Sequence, residues 1–235
     1  MKLSELKAPV RALILDIANA GTMDNNLIRE IIRSQNLCDN EFMPFTTFDH
    51  PCTESYGRRV IYDHGNFKVM LMSWAPGDFT AIHNHGYTEW GCVFFFGEAT
   101  HRMYDFDGSN LKLKQKDTFS EGYTAPVCGD LIHIMGNSGK TGFTTLHIYG
   151  SNNKESDVSE GSTVFLPEFG KMATTMGSAY LNLDKSLMMS EKPFTGINEE
   201  TLTDYFDLIK PFYERNNRLE MIRNMEHILS GKDAN

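Results

Sequence analysis

Between Tyr56 and Tyr149 the chain is a succession of short aromatic and β-branched runs cut by turn signals, and no other feature limits its fold more. Lys68–Trp74, Val93–Phe96 and Thr144–Tyr149 are such runs. They are short for helices and rich in side chains that suit a pleated, half-buried surface. Pro76-Gly77-Asp78, the stretch Asp105 to Asn110, and Asn137-Ser138-Gly139 separate them. These residue types preset or tolerate turn geometry. Many short strands at near-regular spacing predict a sandwich or small barrel.

The flanks have a different period. Leu13, Ile14 and Ile17, then Leu27, Ile28, Ile31 and Ile32, recur at helical spacing, and Gly21 to Asp24 separates the two runs with Asp24 placed to cap the second. Near the other end Leu202, Tyr205, Phe206, Leu208, Ile209 and Phe212 form one stripe, and Leu219, Ile222, Met225 and Leu229 a second. Pro211 is expected to bend or divide these runs, and Gly231 to stop the last. The polar run Ser151 to Asp157 reads as a loop. The predicted organisation is a helical lead-in over 1–44, a barrel over 45–165 and a helical extension over 166–235 that packs on the barrel.

Of the 235 residues, 22 are Lys or Arg and 31 are Asp or Glu, a formal charge of −9. A phosphate-backbone binder needs a basic face, so nucleic acid is not an expected partner. No apolar run approaches the ~20 residues a bilayer-spanning helix requires, and membrane is not an expected partner either. Leu13-Ile14-Leu15 is cut by Asp16 and followed by no small-residue cleavage site, so no signal peptide is read. Cys38, Cys52, Cys92 and Cys128 form no C-x-x-C pair, which argues against a disulfide framework and a thiolate zinc site. The expectation is a reduced, cytoplasmic protein, monomeric or weakly oligomeric. Cys38, Cys52 and Cys128 read as small buried apolar residues. Trp74 reads as core, and His50, His64, His101 and His227, lacking partners at ligand spacing, as surface or packing residues.

Chemistry concentrates in His83-Asn84-His85. Residues two apart on a strand share a face, so both imidazoles can reach one ion. Neutral imidazole suits iron, copper, nickel or zinc, so the pair specifies a metal without naming it. His133 adds a third imidazole on a later strand. Gly77 to His85 and Gly129 to Asn137 together resemble the paired motifs of the cupin superfamily. There the first motif is G-x5-H-x-H-x3–4-E-x6-G and the second ends in G-x2-H-x3-N. This chain matches G-x5-H-x-H and H-x3-N, with one residue more between the second-motif Gly and its His. The resemblance implies a mainly β fold, a jelly-roll barrel with His83, His85 and His133 inside. The cupin Glu ligand has two candidate registers. Either a bulge turns Glu89 inward, or Trp90, found by counting back from Gly97, faces the metal and Glu89 faces out; the second is preferred.

A narrower resemblance is to the cysteine dioxygenases, cupins with a three-His iron site and no Glu ligand. It is carried by His83-Asn84-His85, Leu131 to Asn137, Tyr56-Gly57-Arg58-Arg59 followed by Phe67 to Trp74, and Thr145-Leu146-His147-Ile148-Tyr149, and it covers roughly Phe45 to Tyr149. It implies Fe(II) as cofactor, with a small thiol and dioxygen as reactants. It implies Arg58 as the group that holds the substrate carboxylate, a task a planar guanidinium performs bidentately. A sister group acting on 3-mercaptopropionate carries Gln there, so Arg58 points to an amino acid. Tyr149, oriented by His147 and Thr145, would donate to bound oxygen or to the carboxylate. Tyr56, Trp90 and Thr145 join Arg58 as expected substrate-binding residues.

The expected reaction is oxidation of L-cysteine to cysteine sulfinate. The alternatives are another small thiol, a non-thiol cupin enzyme with Glu89 as a fourth ligand, or a non-enzymatic ligand-binding cupin. Two departures stand out. The Cys that cross-links to Tyr in some family members is replaced by Trp90 or Gly91, leaving a Cys92–Tyr149 thioether open. The family's S-P-P after the Tyr is Gly150-Ser151-Asn152 here.

Overall fold

Side-chain alternation along the strands sets the layer order of the computed structural model, which describes residues 2–153 and 157–231. Lys154, Glu155 and Ser156 of the polar run lie outside the described residues. One sheet contains β1 (Gly57–Asp63), β2 (Phe67–Trp74), β4 (Trp90–Phe95), β7 (Thr124–Val127) and β9 (Phe143–Gly150), in the order β1-β2-β9-β4-β7. The other contains β3 (Ile82–His83), β5 (Ala99–Phe106), β6 (Leu111–Phe119), β8 (Ile132–Gly136), β10 (Ser162–Leu166), β11 (Lys171–Thr175) and β12 (Met188–Pro193), in the order β12-β11-β10-β3-β8-β5-β6. Pairing is antiparallel in both sheets. Two such sheets packed face to face, with helices before and after, make the predicted cupin barrel.

Three apolar clusters follow from the alternation. Met70, Met72, Trp74, Val93, Phe95, Met135 and Tyr149 point between the sheets. Val69, Leu71, Trp90, Cys92, Leu146 and Ile148 point the other way, under α1 (Ala8–Asn19) and α2 (Asn25–Ser34). Asp24 caps α2 as predicted, accepting from the backbone amides of Asn26 and Leu27 at 2.8 Å each, worth about 1 kcal/mol. Outside the second sheet, Ile82, Ile134, Val164 and Leu166 meet α3 (Glu199–Arg215) and α4 (Leu219–Leu229) through Tyr205, Ile209, Phe212 and Met225.

Four expectations need correcting. The sheet runs on past residue 165 through β11 and β12, so the helical part begins only at Glu199. The edge strand β12 is half-buried at Met188 and exposed from Met189 on, so it carries no apolar period to read. Of the two effects expected of Pro211, division does not occur: α3 continues to Arg215. Leu219, assigned to the second stripe, is 57% exposed. Cys38, Cys52 and Cys128 are exposed rather than buried, and all four cysteines are free. No helix among the described residues is long and apolar enough to cross a membrane.

The C-terminal helices are also tied to the barrel by charge. Asp78, fully buried, accepts from His50 Nε2 at 2.9 Å, from the Ala75 amide at 2.7 Å and from Arg215 of α3. His50 is therefore a partner of a buried carboxylate, and that contact helps raise its pKa against the lowering effect of burial.

Candidate metal centre and substrate pocket

His83 and His133 are Cα partners across β3 and β8, and His85 follows just beyond β3. Adjacent antiparallel strands therefore bring the three imidazoles together from segments far apart in sequence. One nitrogen of each ring lies within 4.8 Å of the others, and all three residues are buried. His83 Nδ1 lies 3.0 Å from the Ala81 carbonyl and donates to it, leaving Nε2 as its free lone pair. His85 Nε2 and His133 Nε2 approach to 2.9 Å.

Burial, first of all, lowers the pKa of each ring. His83 falls to about 4, and His85 and His133 fall well below the usual histidine range, helped by their neighbours' charge. The rings are thus neutral at physiological pH. In the neutral rings one Nε2–H donates to the other Nε2, and a cation held by both would require that proton to move to the Nδ1 of its own ring. Three neutral nitrogen donors without a fourth protein ligand fit a divalent transition ion with open positions.

Facing the histidines are the side chains of β1, β2 and β9. The pocket is lined by Tyr56, Arg58, Met72, Trp74, His147 and Tyr149 among others, together with the three histidines. Arg58 Nη2 contacts Met70 Sδ at 3.3 Å, while its Nε is buried without a partner. A buried, unpaired guanidinium N–H costs free energy unless an acceptor arrives, and a carboxylate matches its geometry.

Thr145, His147 and Tyr149 alternate along β9 and form one chain of hydrogen bonds. Trp74 Nε1 lies 2.8 Å from Thr145 Oγ1, which lies 2.7 Å from His147 Nε2, and His147 Nδ1 lies 2.6 Å from the Tyr149 hydroxyl. An indole N–H can only donate, so Thr145 accepts from Trp74; the only acceptor within reach of its own buried O–H among the described residues is His147 Nε2, and the proton goes there. His147 is neutral, its pKa pushed down to about 3 by burial and then by His83 and Arg58. Its proton therefore sits on Nδ1 and is donated to the Tyr149 oxygen. The Tyr149 O–H is left free to point into the pocket. Trp74, read from sequence as core, is thus the anchor that sets the direction of this chain.

Tyr56 lines the pocket, stacks on Trp74 at 5.0 Å, and accepts from the Ala179 amide at 3.2 Å. Trp90 does not line the pocket. Its ring packs among the residues under α1 and α2, 6.4 Å from Phe67 and directly over Gly150, where an added Cβ would come within 2.0 Å of the indole. Glu89 also turns away, its carboxylate accepting from the Asn152 amide and the Asn153 side chain at 2.7 Å each.

The residue facing inward is Gly91, opposite Tyr149 in the ladder, where a Cβ would stand 3.0 Å from Tyr149 Cδ1. β4 pairs with β7 and β9 without a bulge, and Gly86, in the turn after His85, has a φ of +52°. Cys92 consequently lies on the helix side of β4, and burial raises its thiol to about 12. A Cys92–Tyr149 thioether is incompatible with these opposite orientations.

His101, read from sequence as a surface or packing residue, also has partners that its spacing in the sequence did not show. It is buried, with Nε2 2.9 Å from His133 Nδ1 and Nδ1 3.5 Å from an Asp117 carboxylate oxygen. Burial brings its pKa down to about 4, against the pull of Asp117. The signal lay in the hairpin: the turn at Asp107 to Asn110 folds β5 on β6 so that His101 and Asp117 are cross-strand partners.

A two-sheet barrel with three inward histidines and an arginine-lined pocket defines the class: a cupin of the thiol dioxygenase type. The family model described as cysteine dioxygenase type I matches residues 2–151, and the chain belongs to that family. Solved structures similar to part of the chain include an uncharacterized conserved protein with a double-stranded β-helix domain from Klebsiella pneumoniae. It is 19% identical over 46% of this chain and 90% of that one, with a TM-score of 0.36. A cupin superfamily protein from Desulfitobacterium hafniense is 17% identical over 40% of this chain and 76% of that one, with a TM-score of 0.33. The cupin domain of Cnp3 from Schizosaccharomyces pombe is 7% identical over 47% of this chain and 72% of that one, at 0.38.

Proposed function

We propose that the protein is an iron-dependent dioxygenase that converts L-cysteine and dioxygen to cysteine sulfinate. The observation that carries this reading is the Arg58 guanidinium, its buried Nε without a partner, set in one pocket with three neutral histidines and the Tyr149 hydroxyl. His83, His85 and His133 would hold Fe(II), which when bound supplies open positions for a thiolate, an amine and dioxygen.

The chain's own residues do the rest. Arg58 grips the substrate carboxylate and fixes the direction from which the thiol enters. Trp74, Thr145 and His147 hold the Tyr149 oxygen so that its proton faces the reacting atoms or the carboxylate. Met70, Met72 and Trp74, with Tyr56 stacked on the last, form the apolar wall that limits substrate size and excludes water. The reactants are thus a small thiol and dioxygen, and the free cysteines suit a reducing compartment such as the cytoplasm.

The test is oxygen consumption by iron-loaded protein, run in parallel with L-cysteine and 3-mercaptopropionate, with the product identified by mass spectrometry. Uptake with cysteine and formation of the sulfinate supports the reading. Uptake with 3-mercaptopropionate alone overturns the substrate while keeping the reaction class. Iron-loaded protein inert toward both thiols overturns the reaction.

A further inference from the structure

We propose that His101, backed by Asp117, is a positioning residue that locks the metal ligand His133 in its ligating tautomer. The inference rests on the reading of His83, His85 and His133 as a metal site, and it extends that site to two residues outside the ligand set. His133 Nε2 faces His85 and is the ligating atom, so the His133 proton must reside on Nδ1. The group 2.9 Å from Nδ1 is His101 Nε2, which accepts that proton's hydrogen bond. His101 must then carry its own proton on Nδ1, which faces Asp117 Oδ2 at 3.5 Å, a charge contact that favours this tautomer.

Asp117 is itself oriented: Gln115 Nε2 donates to its other oxygen at 2.8 Å. The His101 ring is held by Phe119 at 4.8 Å between centroids. Pairs of this kind fix ring orientation and raise the basicity of a metal-bound imidazole. Neither His101 nor Asp117 lines the substrate pocket. Both open instead onto a separate, mostly apolar cavity beside Phe95, Met103 and Leu131. Their influence on the reaction therefore runs through His133 and not through contact with the thiol.

The experiment is a titration of the metal-free full chain with Co(II) against a competing chelator, without thiol or oxygen, recording the ligand-field spectrum as well as affinity. His101→Phe keeps the ring volume and removes the acceptor, and is expected to weaken binding about 10–100-fold and to shift the Co(II) bands. His101→Gln presents a carbonyl oxygen toward His133 Nδ1 and is expected to recover most of both. Asp117→Asn, at a partly exposed position, should weaken binding less, in the same direction, and decides the matter if the Phe variant does not fold.

Wild-type affinity and spectrum in His101→Phe, or in Asp117→Asn if the Phe variant does not fold, overturn the proposal. A Gln variant no better than Phe would overturn it too, by reducing His101 to packing. His83→Ala is the control for the underlying reading. If it binds Co(II) like wild type, the metal site itself is wrong. If it loses the metal while His101→Phe and Asp117→Asn do not, only the role of His101 fails.

Discussion

Replacing Thr145 by Val tests the hydrogen-bond chain behind Tyr149 at its midpoint. Val matches Thr in shape but neither accepts from Trp74 Nε1 nor donates to His147 Nε2, which lie 2.8 and 2.7 Å away. Two buried polar groups are orphaned at about 1–3 kcal/mol each, so the stability loss is about 2–6 kcal/mol, read by urea denaturation. The functional effect is separate. Without Thr145 the His147 proton is free to move to Nε2, whereupon Nδ1 becomes an acceptor and draws the Tyr149 proton away from the pocket. Losing a hydrogen bond to a charged or charge-developing atom costs about 1.5–3 kcal/mol, or roughly 10–150-fold in kcat, with KM for the thiol little changed. Steady-state oxygen uptake on folded protein measures it. Thr145→Ser should restore the rate, and adding Tyr149→Phe to Thr145→Val should cost almost nothing further, because both changes remove one interaction. An undiminished kcat in the Val variant, or losses that multiply in the double variant, would refute the assigned direction of the chain.

Other outcomes follow from other parts of the molecule. Arg58→Ala should raise KM for cysteine by about 10–150-fold while leaving kcat largely intact, since it removes a charge-assisted contact made in both ground and transition states. Glu168, buried with Tyr205 and Tyr213 donating to it at 3.0–3.2 Å, has its pKa raised to about 7 by burial. A carboxyl raised on folding stabilises below its unfolded pKa of 4.5 and loses that contribution as pH climbs through 7. Wild type should therefore lose about 2 kcal/mol between roughly pH 5.5 and pH 8 that Glu168→Gln does not; identical pH profiles in urea melts would dispose of this. Gly150→Ala should cost about 1–3 kcal/mol by driving a methyl into the Trp90 indole, and pairing it with Trp90→Leu should relieve much of the loss.

The sequence disclosed most of the metal site because its code is local. His83 and His85 are two apart in sequence and reach the same cluster although His85 lies just beyond β3, and Thr145, His147 and Tyr149 share a face of β9. What stayed hidden depended on register or on pairing across the fold. Trp90 was placed in the pocket by counting from Gly97, but the inward residue is Gly91, one place nearer to Gly97, and a shift of one reverses every side chain on β4. His101 had no neighbour at ligand spacing because its partners sit on β6 and β8. Trp74 looked apolar, and only the pairing of β2 with β9 shows where its N–H goes. The edge strand β12 lacked alternation because, beyond the half-buried Met188, its side chains face solvent, and Pro211 was overrated because buried faces on both sides of it hold α3 together.

The short strand β3 has a bearing on how this protein is made. It carries His83 and is hydrogen-bonded on one side to β8 and on the other to β10, with Val164 opposite His83 itself. A nascent chain leaving the ribosome therefore presents all three ligand histidines before the strand that braces the first of them exists. Until Ser162–Leu166 emerge, that edge is bare, and Arg215, which pins Asp78 beside the same motif, comes later still. Synthesis thus delivers the three histidines before their brace, so the cage that would hold a metal takes its final shape only after Ser162–Leu166 have been added.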